Sequence, residues 1–355
     1  MIAPSHPVAR LPEEWEEQVA VWGEPSYRGR QIFDWIHRQG VLDASQMTNL
    51  PKPLRQRLED EGLGWPIEVV SKHESADQTK KLLVGMRDGE KVETVLIPQL
   101  DDPQIVTQCI SSQVGCAMGC VFCASGVAGL KRQMTDAEIV AQVLLGRREI
   151  APEQRIRNVV FMGMGEPLHN YEAVARALVL LTHPEGLDLS KRRVTVSTSG
   201  LVRQIDRLGR DFGGQVQLAI SLHAVRDADR SEIMPINRKH GLRDLTGAVR
   251  RYPLSKRQRI TIEYTLIEGV NDSAGDAAEM AELLRGIPVK VNLIPMNPIS
   301  GSALHAPLGG QVMRFQEELT RRGFSVFIRK TRGDDVAAAC GQLAFHGVSR
   351  RTAAR

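Results

Sequence analysis

The sequence predicts an α/β protein whose main domain is a parallel sheet curled into an open or closed barrel. Short runs rich in apolar and β-branched residues alternate with helical stretches from about residue 105 onward, and this alternation is typical of a parallel sheet. The runs are almost continuously apolar, as expected of strands that helices cover. Polar residues directly follow several of the runs, at the strand ends where such barrels hold their chemical groups.

The N-terminal region, residues 1–64, is predicted to be a small helical domain. Ile32, Phe33 and Ile36 recur at helical spacing, and Pro51 and Pro53 interrupt the following element. The arginines of its GEPSYRGRQIFDWIHRQG stretch are equally compatible with a binding surface and with ordinary solvated side chains.

Residues 65–104 are predicted to form a short β extension. IEVVSK, KKLLVGM and KVETVLIP are strand-like runs, and the RDGE between the last two is a turn signal. The barrel is assigned to residues 105–330, with strands at IVTQCIS, NVVFMGM, RVTVSTS, VQLAISL, RITIEYTLI, VKVNLIP and FSVFIRK. Residues 331–355 form a C-terminal tail in this prediction.

The composition indicates a globular, cytoplasmic protein. The chain has 355 residues, of which 42% are hydrophobic, so it can bury one large core. No apolar run approaches the roughly 20 residues that span a bilayer, and the N-terminus lacks the pattern of a secretory signal. The formal net charge of +4 is too small to indicate a nucleic-acid partner by itself. Local clusters such as Lys191-Arg192-Arg193 would have to carry that argument, and each is also compatible with a solvated loop.

Three of the five cysteines form the strongest local motif. Cys116, Cys120 and Cys123 follow the first predicted barrel strand with C-x3-C-x2-C spacing, and closely spaced thiolates favour a soft metal centre. A structural zinc ion normally has four protein ligands, and no Cys or His lies nearby in the sequence to be the fourth. A four-iron cluster needs only three, because the amino and carboxylate groups of S-adenosylmethionine (SAM) can chelate its open iron. The spacing therefore favours a radical-generating cluster, with structural zinc as the alternative.

The chain resembles the radical SAM enzymes, and among them the RlmN family of RNA adenine C2 methyltransferases. The resemblance covers most of the sequence, in the order SYRGRQIFDWIH, VETVLIP, CISSQVGCAMGCVFCASG, VVFMGMGEPLHN, KRRVTVSTSG, LAISLHA, MPIN, RITIEYTLI, NLIPMNP and RKTRGDDVAAACGQL. It implies that the barrel is a partial (β/α) TIM-like radical SAM barrel. It also implies a 4Fe-4S cluster on Cys116, Cys120 and Cys123, and two molecules of SAM per turnover.

The same resemblance implies which residues bind SAM. Glu166 in the GMGEP motif would bind the methionyl amino group, a suitable role for a carboxylate. By its own sequence Glu166 could also begin a turn or a helix, and His223 could be a hydrogen-bonded core histidine. The implied SAM contacts are Gly165, Glu166, Ser197, Ser221, Leu222, His223 and Asn297.

Two further cysteines and one glutamate are implied to act on the substrate. Cys340, in RGDDVAAACGQL, resembles the residue that is methylated during turnover, and Cys109 resembles its resolving partner in a transient disulfide. A methylated cysteine suits adenine C2, which lies between two ring nitrogens and is too electron-poor to attack a sulfonium methyl. Glu93 in VETVLIP matches the position of the family's proton acceptor. From the sequence alone, both cysteines could be small buried residues and Glu93 an exposed strand residue.

The resemblance also implies the partners. The substrates would be adenine in 23S rRNA at the peptidyl transferase centre and adenine beside the anticodon of tRNA. The base would be splayed from a loop to reach the barrel mouth, and the N-terminal domain and basic loops would hold phosphates. An electron-donating reductase or a flavodoxin-like reductant would supply electrons, and no membrane partner is expected.

Three other functions stay open at this point. A Cfr-type adenine C8 methyltransferase would share the cysteine set, although Pro167 in GMGEP favours the C2 enzymes. A non-catalytic RNA-binding protein with structural zinc would contain no iron. A radical enzyme that activates a protein glycyl residue would have no use for Cys340.

Overall fold

The computed structural model describes residues 6–299 and 301–343, so the predicted tail is described as far as residue 343. The chain begins with three helices, α1 (Pro12–Val21), α2 (Tyr27–Phe33) and α3 (Lys52–Asp60), and α2 continues as one π-helical turn over Asp34–Arg38. Their apolar faces pack on one another, and Trp15, Ile32 and Leu54 are fully buried between them. The predicted helical N-terminal domain is thus confirmed.

Arg176 fastens these helices to the rest of the molecule. Its side chain is almost fully buried and donates a hydrogen bond from Nε to the carbonyl oxygen of Ala9 at 2.9 Å. It also forms ion pairs with Glu14 and, at 3.3 Å, with Asp136. A buried cation needs such partners, because an unpaired charge away from water is strongly unfavourable.

Antiparallel strands connect the helical domain to the barrel. They are β1 (Ile67–Glu74), β2 (Lys80–Met86) and β3 (Lys91–Pro98), and β3 pairs with β4 (Ile105–Cys109), the first barrel strand. In that pairing Val95 faces Cys109. The extension therefore continues the barrel sheet and reaches the carboxyl end of β4, beside the cysteine motif.

A short segment that contains the cysteine motif separates β4 from the next barrel strand in the chain. It consists of β5 (Gln113–Gly115), the short helix α4 (Ala124–Ala128) and β6 (Leu130–Gln133), with β5 and β6 paired antiparallel. The remaining barrel strands are β7 (Arg155–Phe161), β8 (Val194–Thr198), β9 (Gln217–Ser221), β10 (Ile260–Leu266), β11 (Val289–Pro295) and β12 (Val326–Ile328).

The seven barrel strands lie in the order β4-β7-β8-β9-β10-β11-β12, and all neighbours in this run are parallel. Among the described residues β12 is an edge strand, so the sheet is an open, partial barrel. The predicted parallel barrel is confirmed. The residues of β10 are all buried, which explains why this strand is so rich in apolar residues.

Helices alternate with the barrel strands. They are α5 (Asp136–Glu149), α6 (Tyr171–Leu181), α7 (Val202–Phe212), α8 (Asp227–Ile233), α9 (Leu242–Arg251), α10 (Ala274–Leu283) and α11 (Gly309–Arg321). Local signals fix where they begin: Thr135 and Glu138 cap the first turn of α5 reciprocally, and Ser273 and Asp276 do the same for α10. In the part of the chain that the structure describes, no helix is long and apolar enough to cross a membrane.

Candidate active site

A cavity opens at the carboxyl ends of the parallel strands. Parallel strands bring these ends to one edge of the sheet, so polar residues far apart in sequence meet there. The lining includes most residues predicted from the sequence: Cys116, Cys120, Cys123, Gly165, Glu166, Ser197, Ser221, His223, Asn297 and Cys340. Three predicted residues, Glu93, Cys109 and Leu222, are buried outside the lining.

The three motif cysteines lie on one tightly folded loop between β5 and α4. The amide of Cys116 donates to the carbonyl oxygen of Gly129 at 3.0 Å, and the amide of Cys123 donates to that of Cys120 at 3.3 Å. Gly115 has φ +74°, and a Cβ at this position would overlap the Gly129 carbonyl oxygen. Glycine therefore lets the loop fold back on itself and bring its thiols to the cavity.

Burial keeps these thiols protonated when no metal is bound. It raises the pKa of Cys116 to about 12, and it raises the pKa of Cys120 and of Cys123 as well. A metal centre would reverse this, because the thiolate is the form that binds metal. The three thiols line the cavity together, as the ligands of an iron–sulfur cluster would.

Glu166 is a buried carboxylate in the cavity wall. Its Oε1 accepts a hydrogen bond from the amide of Leu168 at 3.0 Å, and its Oε2 accepts one from the amide of Ser199 at 2.7 Å. Burial raises the pKa of the carboxyl, and these hydrogen bonds oppose the rise. Each carboxylate oxygen can accept a further donor. Glu166 thus begins the turn at Pro167–Asn170 and can also bind an ammonium group.

One buried carboxylate oxygen at the cavity, Glu263 Oε2, has no hydrogen-bond partner within the described residues, and its charged neighbour Arg329 Nη1 lies 3.8 Å away. The other oxygen of Glu263 accepts from Asn292 Nδ2 at 3.0 Å, and burial raises the pKa of this carboxyl. Buried polar groups are normally satisfied, so this atom indicates room for a polar ligand. SAM carries amino, carboxylate and hydroxyl groups, and the residues present therefore fit it.

His223 lies in the same wall as a neutral hydrogen-bond donor. Its Nδ1 accepts from the amide of Thr265 at 2.8 Å, so the ring proton is on Nε2. Burial and the nearby Arg230 lower its pKa to about 3. The ring packs edge-on against Phe122 with the centroids 4.7 Å apart. His223 is a satisfied buried histidine that also lines the cavity, whereas the side chain of Leu222 packs in the core.

Arg230 on α8 is a fully buried cation that the sequence did not reveal. Its guanidinium donates to the carbonyl oxygens of Leu222 (2.8 Å), Ser199 (2.7 Å) and Ser221 (2.9 Å), and to Asn237 Oδ1 at 2.9 Å. It therefore ties the ends of β8 and β9 together. Burial lowers its pKa to about 10, so it is charged at neutral pH. The only sequence signal was its place between the SLHA and MPIN motifs.

Cys109 and Cys340 lie at opposite ends of the barrel sequence, and their sulfurs are close enough to interact electrostatically at the cavity, which Cys340 lines. Cys109 ends β4, and the carbonyl oxygen of Cys340 accepts a hydrogen bond from Asn297 Nδ2 at 2.9 Å. Burial and the neighbouring Cys340 raise the pKa of Cys109 to about 12, while Arg329 opposes the rise. The guanidinium of Arg329, another group missed in the sequence, interacts electrostatically with both sulfurs.

Glu93 is a buried member of β3 rather than the exposed strand residue that its own sequence allows. Its Oε1 lies 3.0 Å from Nζ of Lys81 on β2. Lys81 is one of two adjacent lysines, and nothing in the local sequence indicates that its side chain points inward.

Comparison with known proteins agrees with this geometry. The Radical SAM superfamily model matches residues 110–284, and the Ribosomal RNA large subunit methyltransferase N-terminal domain model matches residues 12–62. The chain is 57% identical to Dual-specificity RNA methyltransferase RlmN of Sorangium cellulosum, and the alignment covers 97% of this chain and 96% of the relative. The chain belongs to the RlmN family.

Other RlmN proteins and a solved structure are similar over nearly the whole chain. RlmN of Syntrophobacter fumaroxidans is 45% identical over 93% of this chain and 94% of its own. The crystal structure of a radical SAM methyltransferase from Sphaerobacter thermophilus superposes with a TM-score of 0.91 at 45% identity, covering 96% of this chain and 99% of that one. Membership in the RlmN family confirms the predicted radical SAM fold, the methyltransferase class, and the 4Fe-4S cluster and SAM as cofactors.

Proposed function

We propose that this RlmN-family enzyme methylates C2 of adenine in 23S rRNA and in tRNA through an S-methyl group on Cys340. The observation that carries the proposal is the meeting of two cysteine sets, three thiols around the cavity and a Cys109–Cys340 pair beside it. The first set suits radical generation, and the second suits transfer of one carbon followed by release as a disulfide.

Cys116, Cys120 and Cys123 would hold the cluster, and the cavity wall would hold SAM. The Glu166 carboxylate would accept the methionyl ammonium, and His223 would donate its Nε2 proton. The remaining contacts would come from Gly165, Ser197, Ser221, Leu222 and Asn297. When bound, the cluster and SAM would supply an adenosyl radical, which would accept the hydrogen atom lost from the S-methyl group, and a one-electron acceptor for the RNA adduct.

The chain's own residues carry the carbon. The Cys340 thiolate first takes a methyl group from one SAM by displacement. Loss of a hydrogen atom from this S-methyl group then gives a methylene radical, which adds to C2. Once the adduct has lost its electron, the Glu93 carboxylate removes the C2 proton. The adduct is then a closed-shell thioether between Cys340 and the base.

Cys109 ends the reaction. Its thiolate attacks the sulfur of Cys340, the sulfur–carbon bond breaks with its electron pair going to carbon, and that carbon takes up a proton to become the methyl group. A Cys109–Cys340 disulfide is left, and an external reductant must return both thiols. An electron-donating reductase or flavodoxin-like protein in the cytoplasm is the partner class that this chemistry requires.

The main alternative is methylation of adenine C8. Pro167, which directly follows Glu166, supports the C2 assignment, as it did in the sequence. Structural zinc without catalysis has less support, because the motif thiols line a cavity together with Glu166 and Cys340 and the chain belongs to the radical SAM RlmN family.

The test is product analysis with the reconstituted enzyme. Anaerobically purified protein is incubated with SAM, reductant and either unmodified 23S rRNA or unmodified tRNA, and modified adenosines are identified by mass spectrometry. We expect 2-methyladenosine from both RNAs. An 8-methyladenosine product would assign the chain to the Cfr-type reaction, and no product from iron-loaded, SAM-cleaving protein would contradict the RNA substrates.

A further inference from the structure

The β extension presents charged side chains to the face of the sheet that carries Cys109. Lys81 on β2 faces Val95 on β3, and Val95 faces Cys109 on β4. Residues that face each other across an antiparallel pair project to the same side, and so do residues two apart on one strand. Lys81, Glu93 and Cys109 therefore share one face, the face on which Cys109 meets Cys340.

The Lys81–Glu93 pair is buried and only partly satisfied. Nζ of Lys81 lies 3.0 Å from Oε1 of Glu93, and the two side chains are 12% and 9% exposed. Oε2 of Glu93 is buried with no hydrogen-bond partner in the described part of the chain. A carboxylate oxygen in this condition is unfavourable for folding. Since Lys81 occupies Oε1, Oε2 is the atom left to take a proton.

The same ammonium group also holds the segment that carries Cys340. Nζ of Lys81 donates to the carbonyl oxygen of Ala337 at 3.1 Å, three residues before Cys340. A second contact lies in the β1–β2 turn, where Asp77 Oδ2 accepts from Nε of Arg332 at 2.6 Å. One lysine thus contacts both the carboxylate and the backbone that leads to the methylated cysteine.

We propose that Lys81 is a positioning residue that orients Glu93 to remove the C2 proton from the adduct on Cys340. The inference rests on the proposed function, in which Glu93 is the proton acceptor. Lys81 fixes Oε1 and sets the separation between the carboxylate and the Cys340 segment. Oε2, the oxygen that Lys81 does not bind, takes the proton of the adduct, after which Cys109 releases the methylated base.

The experiment compares five variants with wild type: K81M, K81R, E93Q, the K81M/E93Q double variant and K80M. Lys80 is the matched control, because it neighbours Lys81 on β2, projects to the other face and lies 4.0 Å from Glu74. Each protein is reconstituted and incubated with SAM, reductant and RNA. Three quantities are followed separately: S-methylation of Cys340, the covalent protein–RNA adduct, and released methyladenosine.

We expect K81M to methylate Cys340 within about twofold of the wild-type rate, to accumulate the adduct, and to release product at least about tenfold more slowly, since general-base catalysis contributes roughly 10²–10⁴-fold. E93Q should accumulate the same adduct, and the K81M/E93Q double variant should be no slower than E93Q alone. K81R should restore most of the release rate because it keeps the cation. K80M should match wild type.

Two results would overturn the proposal. One is release of product by K81M at the wild-type rate, and the other is loss of Cys340 methylation in proportion to product, which would make Lys81 a merely structural residue. If K81M does not load iron, K81Q replaces it with the same expectations. Absence of S-methylated Cys340 in wild type would instead overturn the proposed function, and this inference with it.

Discussion

The two cysteine sets of this enzyme differ in the contacts that position them. Cys116, Cys120 and Cys123 share one loop, and hydrogen bonds within that loop fix its shape. Cys109 and Cys340 belong to the first barrel strand and to the segment after the last one, so only tertiary contacts bring them together. The loop cysteines can therefore be recognised by spacing alone. The pair depends on the sheet, on Asn297 and on contacts from the β1–β2 hairpin.

The largest loss of iron is expected from a substitution at Gly115, where the cysteine loop leaves no room for a Cβ. Gly115→Ala would place a Cβ against the Gly129 carbonyl oxygen at φ +74°. A backbone overlap of this kind costs more than about 4 kcal/mol in folding free energy if the loop keeps its shape, so we expect the loop to change its conformation. We expect the variant to lose most of its iron after reconstitution, measured by iron content and absorbance.

The matched control is Gly269→Ala. Gly269 has a similar φ of +67° but nothing within 4 Å of the position of a Cβ, so only the backbone strain is shared. Normal iron loading in this control and loss in Gly115→Ala would support the local account. Equal iron content in the two variants would mean that the close approach of Gly115 does not shape the loop.

Arg230 links the cavity wall to the ends of β8 and β9, and its replacement should have the next largest effect. Arg230→Met leaves three carbonyl oxygens and one side-chain amide without their donor, which costs about 3 kcal/mol or more in unfolding free energy. We expect a lower Tm and a KM for SAM raised more than kcat is lowered. Arg285→Met, at a side chain that is 74% exposed, is the control and should change neither.

The sequence allowed a parallel sheet curled into an open or closed barrel to be predicted, with polar residues at its strand ends, because apolar runs and the residues that follow them are local signals. The roles of those polar residues came from the family resemblance. The sequence did not reveal Arg230, Arg329 or Lys81. Nothing in the sequence around each of these basic residues indicates that its side chain is buried, and its role comes from burial that only the folded sheet creates. Glu93 was noted by resemblance, but its ion pair with Lys81 depends on the β2–β3 register.

The rate at which Cys109 releases the product should depend on pH. Burial is the main cause that raises the pKa of Cys109, and it persists in the adduct, so the thiol is protonated at neutral pH and the attacking thiolate becomes more abundant as pH rises. Release of product from the adduct should accelerate by about tenfold per pH unit between pH 7 and 9. Single-turnover decay of the adduct measures this rate, and a flat profile would contradict the role of burial.

The smallest effect is expected at the surface end of the hairpin. Burial raises the pKa of Asp77, but hydrogen bonds from Thr79, Arg332 and Gly333 bring it well below its usual value. A carboxyl group whose pKa is lowered on folding stabilises the fold at every pH above its ordinary pKa. That stabilisation is lost only as the pH falls through the lowered pKa, so the contact is intact at neutral pH.

Asp77→Asn should therefore weaken the hold on the Cys340 segment at neutral pH. Because the carboxylate is 32% exposed, the loss should stay below about 1 kcal/mol. We expect about a twofold lower rate of Cys340 methylation, measured by peptide mass spectrometry, with the exposed Asp101→Asn as control. An unchanged rate would show that the Lys81 contact holds the segment without Asp77.

The central claim is that Cys340 carries the methyl carbon and Cys109 releases it. The most direct measurement is mass spectrometry of a Cys109→Ala variant after incubation with SAM, reductant and RNA. The account predicts a stable adduct in which a one-carbon bridge joins Cys340 to adenine, with little released methyladenosine. Normal release of methyladenosine by this variant, with no adduct on Cys340, would contradict it.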